Sequence, residues 1–238
     1  MRDTFKKQFQ ILWDGGILML LFTVILYVFG LLLFSGIAYF DTDLTSCFPM
    51  GTLLACIMAA MYTAISLVGI GGIFNLEISM GCTRYRFFVS YYLVHFVFCI
   101  ADLCLILLLC RAELVWLALR YPSLPNEIDF FPYLLRWGIP TAAAVILTGG
   151  FCGALIMRYG KRAGWTLWVF WMIGCVGIPQ IHEAMEDNPG SLLARIGISF
   201  QDIIRNIPQA LWIPLILLAC GGCLVGAYLI VKNEQVKG

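Results

Sequence analysis

An all-α, polytopic membrane protein with six spanning helices is the fold class this sequence predicts, and three observations predict it. Hydrophobic residues make up 61% of the 238 and charged ones only 12%, where a soluble domain is about a quarter charged. Mean hydropathy is +0.91. Six apolar runs approach the roughly 20 residues a helix needs to cross a bilayer: 16–40, 51–74, 87–110, 138–157, 165–181 and 207–231. The short links between them leave no room for a separate soluble catalytic domain, so 1–238 reads as a single transmembrane domain. A net charge of +1 without a basic aromatic patch points away from nucleic acid and leaves the lipid bilayer as the first partner implied.

Residues 1–14 place Phe5, Phe9 and Leu12 on one helical face with Lys6 and Lys7 elsewhere, a pattern that predicts an N-terminal interfacial helix in the headgroup layer. The run at 16–40 is far longer than a signal h-region and no small-x-small site follows it, so a retained span is expected. The loop 41–50 is acidic, with Asp41 and Asp43. Gly69, Gly71 and Gly72 near the end of span two allow close helix approach or a kink.

Between spans two and three lies a polar stretch, 75–88, that suits a short helix across the membrane face. Glu77 is followed by the apolar pair Ile78 and Met80, then Gly81 for a bend and Thr83 as a cap. Arg84 and Arg86 hold the turn on the cytoplasmic side, and Phe87 and Phe88 re-enter the hydrocarbon. Glu77, a carboxylate in a basic turn, suits docking against a basic residue of a partner, a modest pair if exposed.

Span three holds the only carboxylate deep in an apolar run, Asp102, and one of two histidines, His95. Seven residues apart, they share a helical face about 10 Å from one another, with Tyr91 and Cys99 near the same stripe. An ionisable group at that depth costs several kcal/mol unless paired or wetted. It serves either a substrate path or proton relay, or a satisfied interhelical hydrogen bond. Segment 112–137, with Pro122, Pro125, Pro132, Glu127, Asp129 and many aromatics, reads as an external cap.

Span four carries Gly149, Gly150 and Gly153 for close packing. A basic turn, Met157-Arg-Tyr-Gly-Lys-Arg-Ala-Gly-Trp165, leads to span five and its Trp168 and Trp171. His182-Glu183-x-x-Glu186 departs from the zinc-protease pattern at its fifth position. With His95 near the opposite side, three converging ligands are lacking, and no metal site is expected. Leu193, Ile196, Phe200 and Ile203 within 192–206 have the spacing of an amphipathic or partly re-entrant external helix. Of ten cysteines, only Cys47 and Cys82 lie clear of the apolar runs, so no disulfide framework is implied. Cys220 and Cys223 sit in a Gly-rich span and read as a packing face.

With both ends inside, Arg2, Lys6, Lys7, Arg84, Arg86, Arg158, Lys161, Arg162, Lys232 and Lys237 face the cytoplasm. Arg111, Arg120, Arg136, Arg195 and Arg205 face out. That bias predicts a multi-pass protein of the cell membrane with cytoplasmic termini.

Met80-Gly-Cys-Thr-Arg-Tyr-Arg-Phe-Phe88 resembles a segment, roughly Met-Gly-x-Thr/Ser-Arg-x-Arg/Lys-Phe-Phe, that follows the second span in many type-2 ABC permeases, the membrane subunits of ABC exporters. The glycine-basic turn before a Trp-rich fifth span is similar to a second pattern of that family. The resemblance implies that 75–88 is a cytoplasmic coupling helix seated in a groove of an ABC ATPase subunit. Glu77, Ile78, Met80, Gly81, Thr83, Arg84 and Arg86 would then dock the motor. It implies a connecting helix at the N-terminus and a gate element before the last span. It also implies a second permease chain, identical or related, that would enclose the translocation path, for which Tyr91, His95 and Asp102 of span three are the candidates. No Gly-x-x-x-x-Gly-Lys-Ser/Thr occurs in the chain, so ATP and Mg belong to the partner and this chain is a transport subunit rather than an enzyme, with no cofactor of its own. The scarcity of basic residues in the spans argues against a strongly anionic cargo, and an amphipathic or peptide-like one is expected. The alternative is an ion- or proton-coupled secondary transporter using Asp102 and His95, although no repeat between halves is visible. An intramembrane enzyme is disfavoured for want of the second motif histidine or a Gly-x-Ser-x-Gly nucleophile.

Overall fold

The computed structural model describes residues 2–40, 46–79, 81–122, 124–125, 128–187, 191–206 and 208–234. Met80, Asp41, Asp43, Glu127 and Lys237, and the side chains of Glu186, Leu193, Ile196, Phe200, Ile203 and Arg205, lie outside that description. The described chain is all-helical, in the order α1 (Arg2–Phe40), α2 (Met50–Val68), α3 (Ile70–Ser79), α4 (Arg84–Arg120), α5 (Phe130–Tyr159) and α6 (Lys161–Met172). A π-helical segment (Ile173–Gly177), α7 (Ile178–Asp187), α8 (Leu192–Asn206) and α9 (Gln209–Asn233) follow. Six stretches are long and apolar enough to cross a membrane: Phe5–Phe40, Met50–Val68, Arg84–Arg120, Phe130–Tyr159, Lys161–Met185 and Pro214–Asn233.

The expected separate N-terminal helix is corrected: α1 runs unbroken through Gly15 and Gly16. Its Phe5, Phe9 and Leu12 stripe faces protein. Phe9 stacks on Phe98 of α4 at 5.2 Å between ring centroids, and Leu12 is buried in the main core with Phe5 and Phe9 packed against it. Gly16 marks a seat for the Phe98 ring, not a hinge. An amphipathic stripe satisfied by a neighbouring helix has no reason to leave the bundle axis.

Span two is shorter than expected because Gly69 interrupts it, its N–H bonding back to the Ser66 carbonyl at 3.2 Å. Span three is longer. The expected external cap at 112–137 is corrected to a short connection, since α4 continues to Arg120 and α5 starts at Phe130. At 37 residues, α4 is about 55 Å long against a hydrocarbon core of about 30 Å.

Helices α2, α4 and α5 pack on one another, α1 packs on α2 and α4, and α9 leans on α5 and α4. Where α1 crosses α2, a Cβ on Gly30 would lie 2.6 Å from the Gly51 Cα; bare backbones meet there, as small-residue crossings in membranes allow. The remaining element stands apart. Among the described residues α6 and α7 touch only α5 at their junction, the π segment between them and α8, so none of the apolar window of span five is buried within the chain.

Candidate transport site and docking turn

The inward face of α4 is a seam of buried residues at three- and four-residue steps: Tyr91, His95, Cys99, Asp102, Ile106, Cys110, Glu113 and Leu117. That spacing keeps one stripe against α1 and α2 along the helix. Its polar members each meet the neighbouring helices differently.

The Tyr91 hydroxyl donates to the Ser66 carbonyl of α2 at 3.1 Å. His95 lies against the Tyr91 ring at 4.4 Å between centroids, with Nδ1 2.9 Å from the Tyr91 carbonyl and Nε2 3.0 Å from Ser66 Oγ. A carbonyl only accepts, so Nδ1 carries the proton and, in the neutral ring, Nε2 accepts from the serine. Cys99 Sγ is 3.4 Å from Thr63 Oγ1, whose hydroxyl donates to the Ala59 carbonyl at 2.8 Å. Thr23 Oγ1 of α1 donates to Asp102 Oδ2 at 3.3 Å, while Asp102 Oδ1 has no partner among the described residues.

A cavity of about 270 Å³ opens between α1, α2, α4 and α5, and Asp102 lines it. A recess of about 30 Å³ lies beside His95 and shares Met19, Thr63 and Cys99 with the larger cavity as walls. Of the three residues expected on a path, Asp102 and His95 thus line adjoining spaces without a direct bond between them. Tyr91 lines neither and is wholly buried.

Sequence reasoning missed Glu113. It is fully buried, and its Oε1 accepts from Gly51 N at 2.8 Å while Oε2 accepts from Thr52 N at 2.7 Å and Thr52 Oγ1 at 2.6 Å. A carboxylate from α4 therefore caps the N-terminus of α2, where Pro49 has no side chain to do so. The signal was present: Asp102, Ile106, Cys110 and Glu113 continue one seam past the point where hydropathy seemed to end the span.

The polar stretch 75–88 is not one continuous helix, so the bounds expected for the coupling helix are corrected to two helix ends that meet at the Gly81 bend. α3 ends at Ser79, Gly81 adopts φ +84°, and α4 begins at Arg84. Cys82 N bonds to the Glu77 carbonyl and Gly81 N to the Ile78 carbonyl, both at 3.0 Å, the paired closure that glycine in the left-handed region permits at a helix C-terminus. Thr83 occupies the N-cap position of α4 with extended backbone, without a side-chain capping bond.

Glu77 is corrected too: it is 3% exposed and turned inward, so it offers no carboxylate to a partner in this arrangement. Ile78 packs against the core. Gly81, Thr83 and Arg86 are exposed, and Arg84 is half-buried, donating from Nη1 to the Lys232 carbonyl of α9 at 2.9 Å. Tyr85 is 53% and Leu76 50% exposed. Arg158, Lys161 and Arg162 flank the α5–α6 turn at the same end of the bundle, where Gly160 adopts φ +64°.

Burial raises the Glu77 pKa to about 7, a rise the hydrogen bond from Cys82 partly offsets. Burial likewise pushes the Cys82 thiol up, with Glu77 adding to the shift and Arg86 and Lys7 opposing it. A carboxyl raised in the folded state from 4.5 to about 7 favours folding fully only below the lower value, and that contribution is lost as pH rises through the upper one. Protection of the Gly81 and Cys82 amides from hydrogen exchange, corrected for the intrinsic rate, is expected to fall between about pH 5 and pH 8. Glu77→Gln should flatten the profile, and a flat profile in the unaltered protein would contradict it.

The chain matches no protein-family model, no curated protein and no solved structure.

Proposed function

We propose that this chain is the permease subunit of an ATP-driven exporter of the type-2 ABC class. The observation that carries the reading is the corner formed by α3, the Gly81 turn and the first turn of α4. This is a short helix broken from span two at Gly69 and exposed at Leu76, Thr83, Tyr85 and Arg86. It lies at the end of the bundle that carries the basic α5–α6 turn, the start of α1 and the end of α9. In this reading that end is cytoplasmic and a separate ATPase grips the corner. α3 then acts as the lever, because its break at Gly69 lets it tilt against span two as nucleotide binds and leaves. The unpacked faces of α6 and α7 suit a second permease chain. The cargo, amphipathic or peptide-like, passes beside Asp102.

Co-purification tests it. The tagged chain, extracted in mild detergent from its own cells, is expected to bring down an ATPase bearing Gly-x-x-x-x-Gly-Lys-Ser/Thr. Arg86→Glu with Tyr85→Ala should reduce the yield of that complex about tenfold while the chain stays monodisperse, since interface aromatics and arginines carry such docking. Full recovery with the double variant, or no such ATPase at all, would falsify the reading. A second reading, an ion- or proton-coupled secondary transporter using Asp102 and His95, is favoured by the unpartnered Asp102 oxygen beside a cavity. It needs no ATPase, so the same experiment separates the two.

A further inference from the structure

Asp102 sits at the midpoint of α4, about 27 Å from either end of the helix. It is 1% exposed and only half satisfied: Thr23 holds Oδ2 and nothing among the described residues holds Oδ1. Buried polar atoms are seldom left so, least of all a carboxyl in a membrane span. The cavity it lines contains no lysine, arginine or histidine. Of the hydroxyls that line it, Thr63 already donates to the Ala59 carbonyl. Along one face of α5, Phe130, Tyr133 and Trp137 wall the cavity, and Tyr133 and Trp137 are 65% and 53% exposed.

We propose that this cavity binds a small organic ammonium ion, an amine carried on an apolar or aromatic body. Such a ligand supplies the donor and positive charge that the carboxyl lacks, lays its apolar body against the aliphatic walls, and passes ring faces that attract cations. An anion is repelled, and a neutral apolar guest leaves Oδ1 as unsatisfied as before. The cavity volume of about 270 Å³ falls just below the range of about 300–1,000 Å³ for drug-sized ligand sites, which suits a small amine and is too small for a whole phospholipid. As binding chemistry this stands without any motor; as the nature of the cargo it rests on the exporter reading.

The test uses the full chain in detergent micelles, titrated calorimetrically with 2-phenylethylammonium and with 2-phenylethanol, which shares its body but lacks the charge. The ammonium ion is expected to bind about tenfold tighter or more, the worth of a charge-assisted hydrogen bond in a dry site. Asp102→Asn should remove that preference. Tyr133→Leu, which leaves the carboxyl untouched and whose ring, unlike that of Trp137, is not already covered by Arg136, should weaken ammonium binding about threefold through the lost cation–π contact. Equal affinity for the two compounds, no saturable binding, or an ammonium preference that survives Asp102→Asn overturns the proposal and leaves Asp102 as a proton-bearing partner of Thr23. The ammonium–alcohol comparison in the unaltered chain decides the matter even if Asp102→Asn fails to fold. No ATPase enters the assay, so failure here and failure of the exporter reading are separately visible.

Discussion

Glu113→Ala should cost about 3–5 kcal/mol of stability in detergent, the scale on which removing one partner of a buried charged network is felt. The loss follows from a complete accounting of the first turn of α2. Met50 N bonds to the Phe48 carbonyl and Leu53 N to the Pro49 carbonyl, which leaves Gly51 N and Thr52 N as the donors without a backbone acceptor. Glu113 takes both, and the Thr52 hydroxyl with them. Alanine strips the acceptor from three groups in a buried site, two of them backbone N–H groups that cannot turn away, and each such orphan costs about 1–3 kcal/mol. It also removes an anion from the positive end of a helix dipole. Glu113→Gln keeps one acceptor oxygen and should fall between the two. Arg111→Ala, whose exposed guanidinium rests on the Phe131 ring at 4.6 Å, should stay within about 1 kcal/mol. Thermal melting followed by tryptophan fluorescence reads the global loss, and hydrogen exchange at residues 51 and 52 locates it. A Glu113→Ala protein melting with the parent would remove the cap from any account of the fold.

Why Glu113 escaped the sequence reading shows where hydropathy stops. A sliding window registers the charges of Arg111 and Glu113 and ends the span. It has no means of registering that one charge is met by a helix terminus lying 61 residues or more back in the chain. The Phe5, Phe9 and Leu12 stripe failed for a related reason: a one-sided apolar face looks the same whether its partner is lipid headgroups or the Phe98 ring. Asp102 and His95 were legible because their seven-residue spacing fixes them on one face whatever lies opposite. The spacing could not foretell that Thr23 and Ser66 would be their respective partners. Gly81 was readable as a bend because a positive φ at a helix end calls for glycine almost alone. The neighbouring Glu77 was misread as a surface charge because a carboxylate beside two arginines has no feature announcing that it faces inward.

Gly153→Ala should cost about 1–3 kcal/mol or more, the range of a forced overpacking, although alanine is the better helix former. A Cβ at Gly153 would run into the Leu67 carbonyl of α2, and its i−4 neighbour Gly149 already lies against Leu67 and Ala64. The two glycines form the small-x-x-x-small stripe through which α5 meets α2. Leu67 O is backbone, so it cannot rotate aside as a side chain would, and it lies two residues before Gly69, where span two breaks into α3. Clearing the methyl group means moving α5 off α2 or shifting that break. The added methyl therefore acts on both the packing of the bundle and the break between α2 and α3. Gly222→Ala in α9 makes the opposite case with the same chemistry: nothing lies within 4 Å of a Cβ there, and the helix should gain about 0.5–1 kcal/mol from the lost backbone freedom of glycine. Melting temperatures of the two variants should thus fall on opposite sides of the parent. If Gly153→Ala melts with Gly222→Ala, α5 and α2 do not approach backbone to backbone at this crossing, and the Gly69 break loses its support.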